Sequence, residues 1–221
     1  MGCAVITGAS SGLGMEFAIQ LSRVFPSVQE IWLIARRAER LEALASRFPG
    51  LAIRCISADL TDTAGLSALQ AQLEESGVQV ELLINCAGCG YLDDFDEAAL
   101  DTQLRMVDLN VRALTAVTRI VLDHMPAGGR IINISSIASF VPTPRMTVYS
   151  ASKSYVSAFS CGLNEELRKR GISVTAVCPG PMRTEFLALA GITGRSKAFE
   201  LLPYCDPAAV AENALAAAKA R

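Results

Sequence analysis

Several ordinary materials are scarce in this chain of 221 residues. It has one histidine, His124, and its seven cysteines follow no repeated spacing. A single histidine leaves most metal sites short of ligands, and an odd, scattered set of thiols does not make a disulfide framework. Cys86 and Cys89 form a C-x-x-C, but no second pair completes a site, so no metal is expected. Blocks of like charge are missing too. Twenty basic against 22 acidic residues leave a net charge of −2, which argues against nucleic acid or an anionic membrane as the partner. No run approaches the ~18 apolar residues of a membrane span. The opening MGCAVITG lacks the basic region and long apolar stretch of a signal peptide, and Ile6 breaks the myristoylation pattern. A soluble cytoplasmic protein with a small-molecule ligand is the expectation.

What the chain has is apolar sequence, arranged with a rhythm. Short apolar runs at 3–7, 31–35, 51–56, 80–85, 130–135 and 172–177 are separated by longer amphipathic stretches such as GLGMEFAIQLSRVF and RAERLEALASRF. Runs of four to eight residues bounded by turns read as strands, and the intervening segments carry apolar residues at helical spacing. Strands apolar on both faces and alternating with helices predict an α/β fold: a doubly wound, Rossmann-type parallel sheet covered on both sides. The length suits a single domain over 1–221, burying roughly 70% of the surface its unfolded chain would expose.

The first strand leads directly into TGASSGLG and then a helix. Gly8, Gly12 and Gly14 remove side chains where a pyrophosphate would approach, and the helix N-terminus turns its N–H groups and dipole toward it. The second strand ends in Ala35, Arg36 and Arg37. An NAD-preferring enzyme commonly has an acid here for the ribose 2′-hydroxyl, whereas a guanidinium can take a 2′-phosphate through two hydrogen bonds. NADP (NADPH) is the expected cofactor, although Arg37 equally suits a solvated helix start.

Residues 149–153 read YSASK, a tyrosine and a lysine one helical turn apart. With TGASSGLG, NCAG (85–88), Asn110, ISS (134–136) and PGPMRTEF (179–186) in this order, the chain resembles the short-chain dehydrogenase/reductase family over nearly its whole length. The resemblance implies an oxidoreductase that transfers hydride between the nicotinamide and a carbonyl or alcohol. Tyr149 would be the proton donor or acceptor, Ser136 the partner of the substrate oxygen, and Lys153 the residue that holds the nicotinamide ribose and lowers the tyrosine pKa. Asn110 would help order a water linking Lys153 to solvent. A lysine charge ~4 Å away supplies on the order of 4 kcal/mol at an effective dielectric of 20, roughly what moving a phenol from about 10 to about 7 requires. Tyr155 lacks a lysine four residues on, and Ser135 points to the opposite strand face from Ser136.

The same resemblance implies cofactor contacts from Gly8, Ser10, Ser11, Gly12, Leu13 and Gly14 in the turn, and from Arg36 and Arg37 after the second strand. Asp59 would meet the adenine, or else cap a helix start, beside Leu60. Asn85, Ala87 and Gly88 follow the fourth strand, where Cys86 replaces a usual second asparagine. Pro179, Gly180 and Thr184 lie further on, with Thr184 near the carboxamide, and Asn110, Tyr149 and Lys153 serve both sets. Residues 181–205 form a substrate lid in which Phe186, Leu187, Leu189 and Ile192 suggest an apolar wall for a ketone, aldehyde or acyl-chain carbonyl, or else pack on the core. Relatives pair long helices, here about 100–124 and 148–170, into homodimers or homotetramers. They also carry a seventh parallel strand, which this sequence, ending at Arg221, is expected to lack. The alternative function is an NADP-binding sensor or regulatory protein without turnover. Such proteins often lose the tyrosine or the lysine, and both are here.

Overall fold

The computed structural model describes residues 2–196, 199 and 202–220. Six strands, β1 (Gly2–Thr7), β2 (Val28–Ala35), β3 (Ala52–Ser57), β4 (Gln79–Asn85), β5 (Arg130–Ile134) and β6 (Ser173–Val177), form one sheet in the order β3-β2-β1-β4-β5-β6. Every pairing is parallel. β6 is an edge, and among the described residues no seventh strand pairs with it. The strand ends lie within a few residues of the apolar runs in the sequence.

Burial explains the pattern. All six residues of β1 are buried, and its side chains alternate between two cores as a pleated strand requires. Ala4 and Ile6 join Phe17, Leu21, Leu41 and Leu215 on one face. Cys3 and Val5 join Trp32, Leu73, Val117 and Ile131 on the other. The first layer holds α1 (Gly12–Val24), α2 (Ala38–Ala45) and the last helix, here α8 (Pro207–Lys219). The second holds α3 (Thr63–Ser76), α5 (Leu114–Leu122) and α6 (Thr147–Leu167).

Local chemistry sets the helix ends. Asp62 caps α3 by accepting from the Ala64 N–H, and Gly77 closes it in the left-handed region. Asp206 caps α8, with Pro207 in its first turn. The expected long helix at 100–124 is interrupted. It runs as α4 (Leu100–Val107), a π-helical segment Asp108–Ala113, and α5. Such π turns insert a residue into the helical ladder and re-aim what they carry; this one carries the buried Asn110. The chain order reverses between β1 and β4, so their C-terminal ends open a crevice for a ligand. No helix among the described residues is long and apolar enough to cross a membrane. Of the lid 181–205, a short α7 (Glu185–Leu189) is formed and Met182 bridges to Cys205, while 197, 198, 200 and 201 lie outside the described residues.

Candidate active site

A cleft of about 580 Å³ runs along the C-terminal ends of the strands. Its walls include Gly8, Ser10, Ser11, Gly12, Leu13 and Gly14 from the glycine turn, Arg36 and Arg37, Asp59 and Leu60, and Ala87 and Gly88. Ser136, Tyr149, Lys153, Pro179, Gly180 and Thr184 complete it. Every residue expected from the sequence is thus gathered there except Asn85 and Asn110.

The turn is built for close approach. Gly8 has φ +71°, and a Cβ on it would lie 2.8 Å from the Ala87 backbone, so a side chain is excluded on both counts. Thr7 Oγ1 accepts from the N–H groups of Cys86 and Ala87, each at 3.1 Å, which ties β1 to the segment after β4. Thr184 stands opposite, with its side chain beside Gly12. These residues leave an open cradle at the start of α1 that fits a dinucleotide pyrophosphate.

Deeper in the cleft, α6 delivers Tyr149 and Lys153, both buried, past the end of β5. Small buried neighbours, Ser150 and Ser152, let the helix lie close. Ser136 follows β5 and caps a short 3₁₀ turn: its Oγ accepts from the Ala138 N–H at 3.1 Å, which fixes that oxygen close enough to the Tyr149 phenol to favour its ionised form. Ser135 also borders the cleft, but its hydroxyl is taken, donating to the Lys153 carbonyl at 2.8 Å and meeting Ser157. Tyr155 is likewise occupied elsewhere, its hydroxyl 2.8 Å from Thr115 Oγ1 and its ring stacked on Phe159.

Lys153 Nζ donates to the Ile134 carbonyl at 2.8 Å and lies 5.8 Å from the centre of the Tyr149 ring. Burial lowers its pKa from 10.5 to about 8. Burial pushes the Tyr149 phenol up, with the Ser136 hydroxyl opposing it only in part. The expected lowering of the phenol pKa by the lysine is therefore not what this fold produces. Desolvation is the largest cause of the shift at both groups.

Two expected residues stand behind the cleft. Asn85 is buried, and its amide nitrogen donates to Thr118 Oγ1 and Asn133 Oδ1, both at 2.9 Å. It joins β4 to β5 and α5 instead of facing a cofactor. Asn110 accepts from the Cys89 N–H at 2.9 Å and donates to the Cys89 carbonyl at 2.8 Å and to Ser152 Oγ at 3.0 Å. Both amide hydrogens are committed, so the side chain braces the loop after β4 and has no donor left for a water.

Asp59 is similarly taken. Its Oδ1 accepts from the N–H and hydroxyl of Thr61, and Oδ2 from Arg105 Nη2 at 3.0 Å. Although burial alone would raise it, the Thr61 and Arg105 hydrogen bonds hold its carboxyl at about 2. The helix cap expected of Asp59 belongs to Asp62. Arg105, from α4, lines the cleft and carried no signal in the sequence beyond being one arginine on a helix. Burial pushes the Cys86 thiol up to about 12 and raises Cys89 as well, which disfavours thiolate chemistry at the C-x-x-C.

The substrate end is apolar. Phe186 and Leu187 of α7 line it with Val141 and Met146, and the Phe186 ring packs at 5.7 Å on Tyr149. Ile192 is buried in the same cluster, whereas Leu189 is 70% exposed. The lid residues therefore serve both as wall and as packing.

A family model described as short chain dehydrogenase matches residues 2–191. The chain is 34% identical over 186 residues to the very-long-chain 3-oxoacyl-CoA reductase of Anas platyrhynchos, covering 80% of this chain but only 58% of that protein. It is 34% identical over 190 residues to the serine 3-dehydrogenase of Agrobacterium fabrum, covering 84% and 74%. Among solved structures, a short-chain dehydrogenase from Sphingobium yanoikuyae in complex with NADPH is similar at TM-score 0.85 and 33% identity, over 98% of this chain and 84% of that one.

Proposed function

The chain belongs to the short-chain dehydrogenase/reductase family, oxidoreductases that work with a nicotinamide cofactor, and from that premise we propose that it reduces an apolar ketone, aldehyde or acyl-chain carbonyl with NADPH, or oxidises the matching alcohol. One observation carries the reading: Ser136, Tyr149 and Lys153, from different elements, are all buried and meet in the interior of one cleft.

When bound, NADPH supplies the hydride. The chain supplies the proton and the pocket. Ser136, its oxygen fixed by the Ala138 N–H, donates to the carbonyl oxygen. Tyr149, held protonated by burial, gives its proton to that oxygen as negative charge develops there. Lys153, with a pKa of about 8, carries its charge at neutral pH; it sits beside Gly88, placed to hold the nicotinamide ribose and to stabilise the phenolate that Tyr149 becomes. Asn110 acts as a positioning residue through Cys89 and Ser152.

For NADP over NAD, the support is Ala35 where an acid would serve the ribose, followed by Arg36. Its side chain is 63% exposed and, among the described residues, makes only a long 3.9 Å pair to Asp59. The apolar wall of Phe186, Leu187, Val141 and Met146 supports the substrate class. The two relatives act on an acyl-CoA and on serine, so membership in the family does not by itself choose. Exposed Leu104 and Val107 on α4, beside α6, support a homodimer or homotetramer through those helices, and seven free cysteines suit a cytoplasmic setting. The direct test is NADPH oxidation followed by absorbance over a panel of ketones and aldehydes. Turnover of apolar members supports the proposal, and tight NADPH binding with no turnover across the panel defeats it.

A further inference from the structure

Arg37 does not wait empty for a phosphate. Its Nε and Nη2 donate to Ser10 Oγ at 3.3 and 3.0 Å, Nη2 also reaches Ser11 Oγ at 3.0 Å, and Nη1 donates to Glu185 Oε2 at 2.9 Å. Four of its five N–H donors are engaged, so a phosphate that sought more than the one left on Nη1 would have to take a donor from a present partner. The other carboxylate oxygen, Glu185 Oε1, accepts from Arg40 Nη1. Hydrogen bonds from Arg40 and Arg37 hold the Glu185 carboxyl down at about 2, so it is anionic at any working pH.

The position of Glu185 matters as much as its charge. It is the first residue of α7, immediately after Thr184, which stands over Gly12. Arg37 and Arg40 belong to the start of α2, 148 and 145 residues earlier. The ion pairs therefore cross the cleft, from the lip where an adenosine ribose would lie to the helix carrying Phe186 against Tyr149.

We propose that Glu185 is a cofactor-selectivity residue: a built-in anion on Arg37, so that a 2′-phosphate competes with its carboxylate for that guanidinium, while a 2′-hydroxyl leaves the Arg37–Glu185–Arg40 bridge intact. The inference rests on the NADP reading above and deepens it. Displacement is not prohibitive, because Glu185 keeps Arg40. It is not free either, because the arriving phosphate and the carboxylate repel each other. Glu185 thus restrains a preference that Arg36 creates.

The test uses the full chain, with NADPH and 2′,5′-ADP as ligands carrying the 2′-phosphate and NADH and 5′-AMP as ligands without it. Dissociation constants are measured by calorimetry or NADPH fluorescence. In Glu185→Gln the two phosphorylated ligands should bind roughly three- to tenfold tighter, while NADH and 5′-AMP stay within about twofold, and the gain should shrink as salt is raised. Glu185→Asp, which keeps the charge, should show no such gain. A damaged fold moves all four ligands together and cannot yield a selective gain. An unchanged or weakened NADPH affinity in Glu185→Gln, or an equal gain for NADH, overturns the inference. The two readings fail separately. A parent protein that favours NADPH with a variant that gains nothing defeats this one alone. A parent that binds NADPH and NADH equally, with a variant that still gains for the phosphorylated pair, supports it and defeats the NADP preference.

Discussion

Lys153 lies one helical turn beyond Tyr149, and its ammonium, 5.8 Å from the ring centre, is hydrogen-bonded to the Ile134 carbonyl at 2.8 Å. The hydrogen bond of that ammonium goes to the end of β5. Burial governs both groups, raising the phenol and lowering the ammonium, and each group ends in the protonation state that carbonyl reduction needs at neutral pH.

Removing the phenol separates chemistry from binding. Tyr149→Phe deletes the hydroxyl but keeps the ring that packs on Phe186. Turnover should fall by about 10²- to 10⁴-fold, the usual worth of a positioned proton donor, with the NADPH dissociation constant within about twofold. Steady-state NADPH oxidation and a fluorescence titration measure the two. Retained turnover would mean that the proton comes from another group.

The pH profile follows from the two shifts. A raised phenol stays protonated through neutral pH, so it sets no limit there, while Lys153 loses its charge near 8. For carbonyl reduction, kcat/KM should be level below about pH 8 and fall above it, since this parameter reports groups of the free enzyme. Rates with NADPH between pH 6 and 10 provide the check. A profile still level at pH 10 would remove Lys153 from the mechanism.

Stability should move the other way at the same residue. Lys153 titrates at about 8 in the fold against 10.5 as its ordinary value, so the unfolded chain binds the extra proton between those limits. The folded state carries a penalty of about 3 kcal/mol below pH 8, and that penalty fades as pH rises to 10.5. Lys153→Met removes it and loses about 1 kcal/mol with the Ile134 hydrogen bond. The variant should be inactive yet more stable than the parent by about 2 kcal/mol at pH 7, and the advantage should vanish toward pH 10.5. Denaturant melts at pH 7 and 10 decide this. A variant less stable at pH 7 would show that the lysine is a structural strut.

Much of this architecture can be read from residue order because it rests on local pattern. Six apolar runs became six strands, since a parallel sheet covered on both faces leaves no other use for them, and the glycine turn follows β1 because a side chain at Gly8 would strike Ala87. What escapes is long-range side-chain pairing. Asp59–Arg105 and Arg37–Glu185 join residues 46 and 148 positions apart, and no periodicity marks them. The π turn at Asp108–Ala113 escapes as well, because apolar spacing barely distinguishes it from regular helix, and with it the partners of Asn110. The direction of the Tyr149 shift escapes because a charge four residues away is visible in sequence and desolvation is not.

Arg36 is the exposed guanidinium at the ribose end of the cleft. Arg36→Ala should weaken NADPH by about 1–2 kcal/mol, roughly 5- to 30-fold, as expected for a charge-assisted contact to phosphate. NADH should change by less than about threefold. Paired titrations with the two nucleotides measure the difference. An equal loss for both would move the role of Arg36 from the phosphate to the adenosine or to Asp59.

Gly90 sets the distance between the proton donor and the substrate wall. A methyl group there would lie 2.6 Å from Phe186 Cζ and 3.1 Å from Tyr149 Cδ2, so Gly90→Ala must push the Phe186 ring toward the space a substrate would fill. Overpacking of this kind costs about 1–3 kcal/mol. The expected result is a KM for bulky apolar ketones raised roughly tenfold, with NADPH affinity unchanged because the nucleotide cradle lies at the glycine turn. Adding Phe186→Ala removes the obstacle, and the double variant should recover most of the lost kcat/KM for bulky substrates; the cycle of single and double variants measures the coupling. If Gly90→Ala weakens NADPH instead, or Phe186→Ala restores nothing, the substrate does not lie against α7, and the apolar wall is packing alone.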